Sequence, residues 1–169
     1  MGDLWIICGP AGVGKSTYGR KLAAEKGACL LDSDTITEPV VRAGMLLGGL
    51  DPDDRDSPGY RAAFREPVYD CLFEAAAENL VHINVILVGP FTREIRNPGW
   101  RNELAERFQT TVRVVFVTCD EVERKRRIEQ RGNPRDNLKL QNWEQYIGLS
   151  DSRSPAFEHE LLVSQFLKA

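Results

Sequence analysis

The residues with the clearest chemistry form the run Gly9-Pro10-Ala11-Gly12-Val13-Gly14-Lys15-Ser16-Thr17, directly behind the apolar stretch Leu4-Trp5-Ile6-Ile7-Cys8. The spacing is glycine, four residues, glycine, lysine, then serine or threonine, which is the P-loop pattern. Glycines carry no Cβ, so the backbone can bend tightly and turn several N–H groups onto a polyphosphate. A helix starting near Lys15 adds unpaired N–H groups and the positive end of its dipole. Lys15 supplies a point charge for the β- and γ-phosphates, and the Ser16 hydroxyl suits a magnesium ion that travels with them. Gly9, Ala11, Gly12, Val13, Gly14, Lys15, Ser16 and Thr17 are therefore the expected nucleotide contacts, with Ser16 as the expected metal ligand. The pattern names a ligand class and leaves the reaction open.

Two further groups carry chemistry. Asp32 and Asp34 close the apolar run 28–31. A carboxylate just outside a strand end can take the proton of an attacking hydroxyl or orient a metal ion. Alternatively, Ser33 or Asp34 only caps a helix. Asp34 lies further from the strand and is the expected base, with Asp32 an acceptor-side contact. Arg124, Arg127 and Arg131 recur at i, i+3 and i+7, and Arg135 follows beyond Gly132-Asn133-Pro134. Such a row screens charge spread over a transferring phosphoryl group, and the break offers a hinge for a lid over 124–137. Arg127 and Arg131 are expected on the transferring charge, Arg124 and Arg135 on the nucleotide. The alternative is a solvated face paired with Glu121, Glu123 and Glu129.

These groups need a scaffold to bring them together. Apolar runs alternate with longer helical patterns, the signature of a parallel sheet covered on both faces. Strands are predicted at 4–8, 28–31, 83–88 and 112–117, and helices near 15–26, 35–43, 60–80, 100–108, 120–131 and 136–148. Gly27 ends the first helix, and Pro67 predicts a bend in the third. Gly48-Gly49, Asp51-Pro52 and Ser57-Pro58 make 44–59 a long loop of functional length. The tail fits a fifth strand over 160–163 and a helical end over 161–167 equally well. Ligands of open parallel sheets sit beyond the carboxyl ends of the strands. That rule joins the phosphate loop to Asp32, Asp34 and Arg93; Arg61 and Arg65, with Tyr69, at the start of the long helix either complete an acceptor pocket or are two solvated arginines displaced by the bend at Pro67. The arginines of such a pocket point to an anionic acceptor.

The chain has 169 residues, 42% of them apolar and 28% charged, with a net charge of −3. One globular domain over 1–169 is the simplest reading. No apolar run has membrane-spanning length, and the amino terminus lacks a signal-peptide layout, so a cytoplasmic protein is expected. The charge argues against long nucleic acid as a partner. Cys8, Cys29, Cys71 and Cys119 make no metal spacing and read as buried reduced thiols. His82 and His159 have no ligand-spaced neighbour. A monomer and a homodimer both fit.

With these pieces in place, the chain resembles the small P-loop kinases that include polynucleotide 5′-hydroxyl kinase, gluconate kinase, chloramphenicol phosphotransferase and the zeta toxins. The resemblance spans Leu4 to about Leu149 and rests on Gly9–Thr17, the pair Asp32 and Asp34, and the arginines between Arg124 and Arg135. It implies an α/β fold with a five-stranded parallel sheet in the order 2-3-1-4-5, ATP with Mg²⁺ as donor, and Asp34 as the base acting on a hydroxyl. Many members end the third strand in an aspartate, whereas this chain has Gly89-Pro90; metal binding then rests on Ser16, water and Asp32. The leading expectation is an ATP-dependent kinase for a hydroxyl of a small molecule, such as a metabolite, nucleoside or antibiotic. The alternatives are a polynucleotide 5′-hydroxyl kinase and a non-catalytic nucleotide-binding module.

Overall fold

Every residue of Leu4–Cys8 is buried, as a strand covered on both faces requires. This strand, β1, lies at the centre of the sheet. The computed structural model describes all residues except Asp56, Asp151 and 165–169, and the side chain of Leu149 is also outside the description. With β2 (Cys29–Asp32), β3 (Val85–Val88), β4 (Val112–Thr118) and β5 (Glu160–Val163), β1 forms a five-stranded sheet in the order β2-β3-β1-β4-β5. All four pairings are parallel. The tail is therefore a strand over 160–163; residues 165–167 of the helical alternative lie outside the described residues.

Alternate residues of β1 serve opposite layers, as the two-residue strand period demands. Leu4, Ile6 and Cys8 pack with Leu72, Phe73 and Ala76 of α3 (Pro58–Leu80) and with Trp100, Leu104 and Phe108 of α4 (Trp100–Phe108). Trp5 and Ile7 face Val13 and Leu22, the latter from α1 (Lys15–Lys26). At about 1.5–3 kcal/mol per fully buried large apolar side chain, these two layers dominate the stabilisation of the fold.

Several boundaries differ from the sequence expectation. Helix α2 runs Ser33–Leu47, well past residue 43. Gly44, which reads as the start of a loop, is instead a helix contact: a Cβ there would lie 2.9 Å from Phe64 Cζ of α3. The chain leaves α2 only at Gly48 and Gly49, the second with φ +68°. Strand geometry stops at Asp32, whose side chain accepts a hydrogen bond from the Asp34 N–H at 3.1 Å and so caps α2. The cap is therefore Asp32 and neither Ser33 nor Asp34. Helix α3 starts at Pro58 behind its Ser57 cap and is continuous through Pro67. In place of one helix over 136–148, the chain makes a 3₁₀ turn (Pro134–Asp136), α6 (Asn137–Gln141) and α7 (Trp143–Leu149), dividing at Asn142.

The four cysteines are free. Burial pushes the Cys8 thiol up to about 12, which keeps it unreactive, but Cys71 is exposed rather than buried. Among the described residues, no helix is long and apolar enough to cross a membrane.

Candidate active site

The phosphate loop joins β1 to α1 and depends on glycine at three positions. Gly9, Gly12 and Gly14 have φ of +135°, +82° and +95°. A Cβ on Gly9 would lie 2.3 Å from the Val117 carbonyl oxygen, and one on Gly12 would lie 2.7 Å from Ile128 Cγ1. Behind the loop runs α5 (Glu121–Arg131), which grips it by its carbonyls. Arg124 Nε donates to the Ala11 carbonyl at 2.7 Å, and Arg127 Nη1 donates to the Val13 carbonyl at 3.1 Å. Peptides are planar and trans, so a carbonyl held on the α5 side turns the following N–H, of Gly12 or Gly14, to the opposite side. The arginines thus help to aim the amides that a polyphosphate needs. Val13 buries its side chain against the sheet, so only its backbone is available to a ligand. Lys15 Nζ donates to the Pro10 carbonyl at 2.7 Å. Desolvation holds the Lys15 ammonium down at about 8, with Asp34 acting in the opposite direction.

Beyond the carboxyl ends of β1, β2 and β3 opens a cleft of about 1270 Å³. Its walls bring together Ala11, Gly12, Gly14, Lys15, Ser16 and Thr17 with Asp32, Asp34, Arg61, Arg65, Tyr69, Arg93, Arg127, Arg131 and Arg135. Nine cationic side chains and five carboxylates line it, although the whole chain carries a net charge of −3. Asp34 stands at the first turn of α2 with a 67% exposed side chain, its Oδ2 3.4 Å from Arg135 Nη2. Asp32 is buried, and its capping bond turns one oxygen away from acceptor-side work. Arg65 Nη2 donates to both oxygens of Glu94 at 2.9 Å, while its Nε is buried without a partner among the described residues. Arg93 pairs with Glu66.

Two expected contacts have other duties. Tyr69 is buried, stacks on Phe91 with ring centroids 4.9 Å apart, and accepts the Phe91 N–H at 3.2 Å. Burial holds its phenol well above its ordinary value. The hydroxyl fixes the turn after β3, where Phe91 has φ +45°, while the residue still borders the cleft. Arg124 is 4% exposed and lies outside the cleft lining. Besides Ala11, its guanidinium bonds the Tyr146 hydroxyl at 2.8 Å and Ser150 Oγ at 2.9 Å. It is a clamp between α5, the phosphate loop and α7 rather than a phosphate contact.

The other arginines of the row keep an edge on the cleft. Arg127 also bonds Glu123 at 2.6 Å and the Ser164 carbonyl at 3.0 Å. Arg126 and Arg127 together hold the Glu123 carboxyl down at about 2. Arg131 makes a two-point fork with Asp136, at 2.5 and 2.7 Å. Arg135 Nη1 bonds Glu38 at 2.9 Å. Asp136, Glu38, Glu94 and Arg55 were not singled out by sequence reasoning. Glu38 carried a signal, since it stands four residues after Asp34 and shares its face once α2 starts at Ser33. Arg55 carried none.

Comparison with known proteins agrees with this fold. A family model described as an AAA domain matches residues 4–149. Shikimate kinase of Vibrio parahaemolyticus is 30% identical over 158 residues, which cover 90% of this chain and 80% of that protein. Among solved structures, a protein from Chloroflexus aurantiacus described as a kinase superposes with a TM-score of 0.69 at 19% identity, over 98% of this chain and 89% of the other. A gluconokinase from Sinorhizobium meliloti superposes with a TM-score of 0.52 at 20% identity, over 96% and 81%. The glycine loop, the parallel sheet in the order β2-β3-β1-β4-β5 and the sequence match lead to one conclusion: the chain belongs to this AAA-domain family and is a P-loop kinase.

Proposed function

We propose that the chain transfers the γ-phosphoryl group of ATP to a hydroxyl of a small anionic acceptor, a compound bearing a carboxylate or a phosphate. The observation that carries this reading is the cationic cleft in an otherwise acidic chain. Arginine forks favour carboxylate and phosphate oxygens.

In this reading the amides of Gly12 and Gly14 and the Lys15 ammonium hold the β- and γ-phosphates. Arg127, Arg131 and Arg135 meet the charge that spreads over the transferring group. Asp34, exposed in the cleft at the start of α2, accepts the hydroxyl proton of the acceptor. Arg61 and Arg65 orient the anionic group. The cleft also offers Ser16 and Asp32, a donor set that fits magnesium, which binds through one or two protein ligands together with substrate phosphates. Bound there, the ion neutralises phosphate charge. The Vibrio relative is named for shikimate, a carboxylated polyol, which is therefore the first acceptor to assay.

The test is a panel of carboxylated, phosphorylated and neutral alcohols scored for acceptor-dependent ADP release, repeated with Asp34→Asn. The expected result is turnover with an anionic alcohol, reduced about 10²–10⁴-fold in Asp34→Asn with nucleotide affinity retained. A neutral best substrate would refute the acceptor class. Full turnover in Asp34→Asn would refute the base.

A further inference from the structure

The Glu38 carboxylate joins two parts of the cleft wall that are far apart in sequence. From the lid side, Arg135 Nη1 donates to Glu38 Oε2 at 2.9 Å. From the segment between α2 and α3, Arg55 Nη2 donates to Oε1 and Oε2 at 3.0 and 3.1 Å. Arg55 is in turn tied to its own segment through the Pro52 carbonyl at 2.5 Å, and it stacks over the Tyr60 ring at 5.2 Å. Both guanidiniums are largely enclosed, with side-chain exposures of 9% for Arg55 and 14% for Arg135. A third cation, Arg42, stands 4.0 Å from the same carboxylate and bonds Asp53 at 2.6 Å. Glu38 is therefore shared among three guanidiniums that belong to α2, the 48–55 segment and the lid.

We propose that Glu38 is a positioning residue that couples the lid to the 48–55 segment, so that a nucleotide in the phosphate loop tightens the acceptor side of the cleft. The inference rests on the reading that Arg135 turns to nucleotide phosphates, and it goes beyond that reading by giving the consequence. Arg135 is the lid arginine best placed to change partners, because one of its two carboxylates, Asp34, is itself in the open cleft. When phosphate oxygens draw Arg135 away, Glu38 loses one donor, and Arg55 loses the repulsion of a cation on the same carboxylate. The Arg55–Glu38 pair then strengthens in a poorly solvated setting, where charge-assisted hydrogen bonds count most. The segment that Arg55 anchors is held more firmly as a result. Nucleotide first and acceptor second is the binding order this favours.

Hydrogen exchange tests the coupling without any knowledge of the acceptor. Wild type and Glu38→Gln are compared with and without a saturating, non-hydrolysable ATP analogue and magnesium, following peptides that cover 9–17, 48–55 and 132–137. In wild type, the analogue should protect 9–17 and slow exchange in 48–55 by about threefold or more, the size expected for one strengthened charged hydrogen bond. In Glu38→Gln, protection of 9–17 should persist while the response of 48–55 disappears. Arg55→Lys, which replaces the planar fork by a point charge, should shrink the response in the same way. It also serves as the variant should Glu38→Gln fail to fold. An unchanged 48–55 response in both variants overturns the coupling, as does a wild type in which 9–17 is protected and 48–55 is not. No protection of 9–17 in wild type would instead count against the nucleotide reading on which the proposal stands.

Discussion

Replacing Arg124 by lysine separates a structural clamp from a nucleotide contact. The guanidinium is 4% exposed and makes three hydrogen bonds, to the Ala11 carbonyl, the Tyr146 hydroxyl and Ser150 Oγ, at 2.7 to 2.9 Å. It also stacks over Tyr146 at 5.2 Å. A lysine ammonium at the end of a flexible stem retains one of these bonds. The charge stays buried, and two charge-assisted bonds of about 1.5–3 kcal/mol each are lost, offset in part by water entering the gap. The net expectation is a loss of about 3 kcal/mol, which lowers Tm by about 6–12 °C for a chain of this size. Urea and thermal unfolding followed by circular dichroism measure the loss, and calorimetric titration with ATP measures the effect on the loop. With Ala11 no longer held, the Gly12 amide is less well aimed, so Kd for ATP should rise about tenfold alongside the lost stability. A variant with wild-type Tm and a raised Kd for ATP would show that Arg124 meets the nucleotide directly, and the clamp reasoning would fail.

Three further outcomes follow from the same geometry. Lys15 titrates at about 8 instead of 10.5 because it is desolvated, so the free protein loses this charge as pH rises through 8. A polyphosphate restores the charge, so binding above pH 8 should take up a proton and weaken by up to about tenfold per pH unit, as calorimetry in buffers of different ionisation heat would reveal. The unfolded chain keeps that proton up to pH 10.5, so this group's contribution to stability rises between pH 8 and 10.5. Gly12→Ala combines a φ of +82° with a methyl 2.7 Å from Ile128, and should cost about 2–4 kcal/mol in denaturant unfolding together with most nucleotide binding. Asp136→Ala removes the fork on Arg131 and the partner of Lys139; it should cost about 2 kcal/mol in stability and lower kcat more than it raises the KM for ATP.

The phosphate loop was legible in the sequence because its function is a backbone shape, and backbone shape is written in glycines. The sheet was legible because Leu4–Cys8 and Val85–Val88 can only be strands buried on both faces. Side-chain direction was less accessible. Helical spacing put Arg124, Arg127 and Arg131 on one face, but it could not say that the first is sealed in by Tyr146 and Ser150, about twenty residues on. Gly44 misled for a related reason. A glycine that admits Phe64 from a neighbouring helix and a glycine that ends a helix look the same in one dimension. The Glu38–Arg55–Arg135 cluster depends on partners up to 97 residues apart, which no local pattern encodes.

The carboxylates in the cleft and just behind its wall explain how so many cations can be kept there. Arg65 is held by Glu94, Arg131 by Asp136, Arg55 by Glu38, and Arg135 by Glu38 and Asp34. An anionic ligand therefore meets guanidiniums that are already oriented, and its binding is an exchange of partners more than a neutralisation of bare charge. Such an exchange gives up affinity, because each carboxylate must be left or shared, and gains geometry, because the donors do not have to be ordered on arrival. The exchange is unequal among the arginines. The Asp136 side chain is only 2% exposed, so it cannot be left to solvent, and Arg131 stays fixed by two of its nitrogens. The Asp34 side chain is 67% exposed and can be left to water at little cost. Within the proposed lid the two arginines thus take different parts: Arg131 is a fixed wall, and Arg135 is the side chain able to change partner in the proposed nucleotide complex.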